Sequence, residues 1–242
     1  MRMSKSLIAL AASFAGTLLV SCGGDEYVEP TKEKYTVAYD RDGTVADAVD
    51  LGLSSGRLWA AHNVGASSPE ETGNYFAWAM QQNVDTATWD NYKYATGVNH
   101  ALTKYCSIEM YGYEKLYDFY RELESSDDAV IFYWNRPWRT PTQADWQELL
   151  DECDWSWVVD RSADPVIRGY KVVGPNGNSI FLPVAGHLDS NMRLNRESFG
   201  YYWSATLNAD APSCAFYLHI GLSYHSVDYA ERYLGFSLRA VQ

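Results

Sequence analysis

The sequence predicts an α+β domain in which many short antiparallel strands accompany one or two helices. Three stretches predict it. Near the C-terminus Phe216, Leu218, Ile220 and Leu222 alternate with Tyr217, His219 and Gly221, the period of two expected of a strand with one face in a core and the other outward. Gly174-Pro175-Asn176-Gly177-Asn178 separates the β-branched and aromatic runs 170–173 and 179–182, which is a hairpin signature. Thr142-Gln143-Ala144-Asp145 has the form of a capping box, and Trp146, Leu149, Leu150 and Cys153 follow at the spacing of one helix face.

Taken in order, the folded part opens near residue 46 with two short strands, 49–53 and 58–61, joined by Ser54-Ser55-Gly56. Residues 81–101 and 107–136 are poorly patterned, with a second helix expected at 117–124. Cys153, on the apolar stripe of the first helix, reads as a buried thiol. Phe236, Leu238 and Ala240 repeat the strand alternation near the end of the chain. Between the two C-terminal strands, residues 224–233 keep no clean period and are rich in Tyr, Ser, His and Asp, which suit a contact surface.

Composition bounds the function. The 242 residues suffice for one domain of ordinary to large size, and 19 Tyr, 9 Trp and 8 Phe point to a β-rich core with surplus tyrosines left for the surface. A formal net charge of −12 repels phosphate backbones, so nucleic acid is excluded as a partner.

Residues 1–21 read as a signal peptide: Arg2 and Lys5 precede an apolar run from Leu7 to Val20, too short to span a bilayer as a mature helix. Leu19-Val20-Ser21-Cys22 resembles the lipobox of bacterial lipoproteins, which implies cleavage before Cys22 and its acylation. Gly23-Gly24-Asp25-Glu26 resembles the surface-export tag of Bacteroidota lipoproteins, which implies the outer face of the outer membrane. Residues 22–45 then form an acidic tether and 46–242 the folded domain. Without Arg2 and Lys5, 17 basic residues face 31 acidic ones, a net charge of −14, so the acyl chains alone must hold the protein to the membrane. Cys106, Cys153 and Cys214 remain, allowing one disulfide at most, and no C-x-x-C pair suggests zinc.

The stretch VDLGLSSGRLWAAHNVGASSPEETGNYFAWA resembles the opening of the Fibrobacter succinogenes major paralogous domains, found in secreted and lipidated proteins of gut Bacteroidota. The resemblance resumes at Leu102–Cys106, Asp127–Ala129, Trp138–Thr142, Gly174–Asn178 and Tyr202–Ser204, and closes with Arg232-Tyr233-Leu234-Gly235-Phe236-Ser237-Leu238-Arg239, so that it spans about residues 48–241. It implies a C-type-lectin-like fold, akin to formylglycine-generating enzymes and to the variable proteins of diversity-generating retroelements.

Catalytic chemistry is weakly represented. Formylglycine-generating enzymes use two cysteines late in the fold, where this chain has only Cys214. His187, Asp189 and Ser190, or His225, Ser226 and Asp228, supply the residue types of a hydrolytic triad, but neighbours along a strand point to opposite faces. Asp127-Asp128 reads as a solvated or capping pair rather than as acids or metal ligands. Trp134-Asn135-Arg136 departs from the calcium-binding strand of sugar-binding C-type lectins, and Gly174-Pro175-Asn176 lacks the acidic first position of their loop, so neither calcium nor any other cofactor is expected. The expected function is capture of a protein or glycan ligand on a Tyr-rich face made of Tyr201, Tyr217, His219, Tyr224, His225, Ser226, Asp228, Tyr229, Glu231 and Tyr233. A retroelement-diversified receptor or adhesin is one form of this reading. Adenine-directed change at Asn codons yields Tyr, His, Ser and Asp, although not Glu231. The alternatives are a formylglycine-generating-enzyme-like oxidoreductase and a structural envelope or pilus-associated subunit.

Overall fold

The computed structural model describes residues 47–242. The expected signal peptide, the expected lipidation site Cys22 and the expected tether lie outside the described residues. The domain is α+β: mostly antiparallel strands in small sheets, with two helices. β1 (Ala48–Asp50), β2 (Leu58–Asn63) and β11 (Arg239–Val241) form one three-stranded sheet, ordered β1-β2-β11. β3 (Asp154–Asp160), β4 (Ile167–Val173) and β5 (Ser179–Pro183) form a meander, and β6 (His187–Asp189) pairs with β7 (Met192–Leu194). β8 (Phe199–Leu207), β9 (Cys214–Gly221) and β10 (Tyr224–Glu231) make another three-stranded sheet, with β10 at its edge.

Local chemistry accounts for the elements that the sequence announced. The β4–β5 turn needs Gly177, whose φ is +84°. Helix α2 (Gln143–Glu152) begins at the expected capping box: Thr142 Oγ1 accepts from the Asp145 amide at 3.1 Å while Asp145 accepts from the Thr142 amide at 2.7 Å. Trp146 and Leu149 are buried beneath it, whereas Cys153 is a half-buried C-cap with its thiol pushed up to about 11 by desolvation, then by Glu152 and Asp154.

One expectation about helices needs correction. Residues 117–124 form no helix; the Leu123 amide donates to Ala205 and Glu122 bridges Thr206, so this segment docks on β8. Helix α1 (Ala129–Trp134) stands instead in the sequence AVIFYW, an all-apolar run without helical period. Asp128 starts it, accepting from the Val130 amide at 2.8 Å and from Thr140 Oγ1 at 2.7 Å. Asp128 is thus a capping residue, one of the two roles expected of the pair, while Asp127 and Asp128 are both buried rather than solvated. Burial raises the Asp127 carboxyl, and hydrogen bonds from Lys104, Tyr94 and Tyr105 more than offset it, so it sits below its ordinary value.

The β8–β9–β10 sheet divides the core. Tyr201, Trp203 and Tyr217 on one face join Phe76, Trp78, Trp134 and Phe236, while Tyr202, Leu218 and Ile220 on the other join Trp59, Trp146 and Leu182. The chain end locks into both. Arg239, fully buried, donates to Asn63 Oδ1 at 2.9 Å and to the Ala60, Ala61 and Phe181 carbonyls at 2.8–3.1 Å. Arg232, also fully buried, lies over the rings of Trp78 and Tyr92 at 5.4 and 5.3 Å. Segment 236–241 is consequently buried throughout, and only its last three residues form a strand, where one outward face was expected. Cys106, Cys153 and Cys214 are free thiols.

Candidate functional site

Of the ten residues predicted to form one face, all but Tyr233 are brought to one sheet and divided between its two sides. Register decides the division. Tyr201 pairs with His219 and His219 with Ser226, and Tyr217 pairs with Asp228, while Tyr224 lies two residues before Ser226, so these six share a face. Tyr229 pairs with Phe216 and His225 with Ile220, which places both on the opposite face, with Glu231 continuing the same alternation. Tyr233 lies beyond β10, its ring 5.3 Å from Trp89.

Burial then separates them again. Tyr201 and Tyr217 are buried, contrary to the outward expectation for Tyr217, because Phe76, Tyr133 and Phe236 cover that side of the sheet. His219 is half-buried, with both ring nitrogens enclosed and without a hydrogen bond. Leu222, expected in the core, is exposed because it falls in the β9–β10 turn, and Phe216 is only half-buried. Residues 224–231, read as unpatterned, are the strand β10; an edge strand with both faces partly open shows no apolar alternation. Tyr224 and Tyr229 are 42% and 55% exposed, and His225 is exposed as well.

On the covered face Tyr201 lies between two imidazoles, with ring centroids 4.7 Å to His187 and 4.8 Å to His219. Its hydroxyl accepts from Asn195 Nδ2 at 3.1 Å. Burial lowers the pKa of both histidines; Asp189 opposes this at His187 and Asp228 at His219. His219 also meets the edge of Tyr224 at 4.9 Å, and Ser226 Oγ donates to the Tyr224 hydroxyl at 2.8 Å. On the other face His225 stacks on Trp155 at 4.9 Å and 3°, so its ring is pinned although exposed. Neither triplet of Ser, His and Asp assembles: His187 Nδ1 has no partner, and His225 points away from Ser226 and Asp228.

Sequence reasoning missed two clefts. An apolar groove of about 380 Å³ lies on the β3–β4–β5 sheet, lined by Val158, Ile167, Lys171 and Phe181 with Glu70 and Asp160 at its margin. A second cleft, of about 340 Å³, lies between β3, Arg168 and the start of β8, beside Leu222. The alternation of Trp155, Trp157 and Val159 in β3 was the available signal for it. Comparison with protein-family models, with curated proteins and with solved structures finds no match.

Proposed function

We propose that this chain is a lipid-anchored protein of the outer-membrane surface, and that a C-type-lectin-like domain of the major paralogous type binds a protein or glycan through edge strand β10. The observation that carries the reading is the exposure of Tyr224 and Tyr229 on opposite faces of an edge strand whose neighbour, β9, is held by packing on both sides. Large amphipathic rings on a fixed floor give contact area at low cost in conformational entropy. Ser226 and Asp228 between them add short polar groups. The lipobox-like Leu19–Cys22 supports the anchor, and the motif from Arg232 to Arg239 supports the fold. Retroelement diversification remains one form of this proposal.

Binding is favoured over thiol redox catalysis because desolvation raises the Cys106, Cys153 and Cys214 thiols, leaving little thiolate at neutral pH. The test is to probe a glycan array and an array of extracellular proteins with the full chain and with a Tyr224→Ala/Tyr229→Ala variant. Signals that vanish in the variant at unchanged melting temperature support the reading. Signals that persist, or an unfolded variant, count against it. Cys22→Ala should abolish incorporation of labelled palmitate; incorporation that continues removes the anchor from the proposal.

A further inference from the structure

The cleft beside the β9–β10 turn has a chemistry that the Tyr-rich edge does not. One wall is β3, where Trp157 and Val159 stand two residues apart on one side of the strand. Val159 pairs directly with Arg168 of β4, so a guanidinium shares the face with that apolar wall. Arg161, exposed just past the end of β3, adds a second guanidinium and has no hydrogen-bond or ion-pair partner among the described residues. Phe199 and Leu222 line the cleft as well, Leu222 being 69% exposed.

Charge sets the sign of the ligand. In a chain of net charge −12, this cleft gathers two arginines against one carboxylate, Glu197. Glu197 lies 3.6 Å from Arg168 and its side chain is 81% exposed, a long ion pair that water and salt screen. A guanidinium fork donates two parallel hydrogen bonds to a carboxylate, a demand that an exposed Glu197 at that distance does not satisfy. The apolar side chains matter equally. A compact anion such as phosphate would leave the indole of Trp157 and the ring of Phe199 unused, whereas a cyclic body sets its flat side on them. The volume of about 340 Å³ admits one or two such rings.

We infer that this cleft binds a carboxylate borne on a ring, with the acid between Arg161 and Arg168 and the ring against Trp157 and Phe199. Two sources carry that chemistry: a uronate residue of an acidic polysaccharide, and a free cyclic acid. The inference is independent of the β10 reading, since neither Tyr224 nor Tyr229 lines the cleft.

Titration of the full chain, followed by calorimetry and by the fluorescence of its tryptophans, tests this with four probes: a galacturonic acid trimer, benzoate, a neutral glucose trimer and a hexaglutamate peptide. Saturable binding of the uronate trimer at least about tenfold tighter than benzoate assigns a polysaccharide, and comparable affinities assign a free acid. Either outcome supports the site. Arg161→Gln/Arg168→Gln should weaken the bound acid about tenfold, and rising salt should weaken it too. Glu197→Gln should strengthen it several-fold by removing the competing carboxylate. Both changes fall on side chains at the rim, so unchanged melting temperature is the control, and the Glu197 variant reads a gain that misfolding does not produce. Four outcomes overturn the inference: no carboxylate binding below about 10 mM, equal binding of the glucose trimer, hexaglutamate as the tightest probe, or unaltered affinity in both variants.

Discussion

Strands β9 and β10 are hydrogen-bonded neighbours of eight residues each, and both carry Tyr and His. Their surroundings differ entirely. Tyr217 is buried in a cluster of aromatic rings, and its partner face carries Leu218 and Ile220 into a second cluster. Tyr224 and Tyr229, one strand away, are substantially exposed. Similar composition therefore serves as core in one strand and as surface in the next, and the number of covered faces decides which. A central strand pressed from both sides needs large side chains on both, and Tyr fills such space provided its hydroxyl reaches a partner or an edge.

The comparison is most readily broken at its buried end. Tyr217→Ala should cost about 3–5 kcal/mol in chemical denaturation, the range for deleting a fully packed aromatic. A loss as small as that of a surface change would mean that the ring is not core. Next in size is His219→Phe. It replaces an imidazole whose two enclosed nitrogens lack partners by a ring of similar shape, so a gain of about 1 kcal/mol is expected in the same measurement.

His219 and His187 also make the covered face sensitive to acid. Burial holds both imidazoles below their ordinary value, so the unfolded chain binds protons that the folded chain refuses. Stability is whole above the unfolded value of about 6.5 and declines as pH falls through it. Urea midpoints measured at descending pH should show this decline, and it should flatten in a His187→Gln/His219→Phe variant. An unchanged slope would place the acid sensitivity elsewhere.

The exposed strand sharpens the contrast with smaller effects. His225→Ala should lose about 1 kcal/mol, because its ring stacks on Trp155 although it faces solvent. Tyr229→Ala should lie within about 0.5 kcal/mol of the parent, as expected of a surface position with few contacts. A large loss at Tyr229 would erase the difference between the two strands.

Much of this architecture was legible from residues alone. The capping box at Thr142, the glycine turn at Gly177 and the alternation in β9 are local signals, since each needs only neighbours within a few positions along the chain. Helix α1 was not legible, because six apolar residues in succession carry no period and its start depends on Asp128, itself held by Thr140 twelve residues on. Residues 117–124 were misread for the complementary reason: their local pattern suits a helix, and pairing with Ala205 and Thr206 overrides it. At the candidate site, the alternation of side chains along β9 could be read, since a strand reverses its faces at every residue, whereas β10 carried no apolar period. Which alternate face meets water could not.

Sequence by itself determined the α+β class, the β4–β5 hairpin, helix α2 and the Tyr-rich character of the C-terminal strands, because these follow from short-range periodicity and turn chemistry. Tertiary structure alone decided that Tyr201 and Tyr217 are core while Tyr224 and Tyr229 are surface. It also decided that Arg161 and Arg168 meet Trp157 in one cleft. Exposure is set by what the distant segments bring to each face, and a period of two along one strand carries no information about its cover.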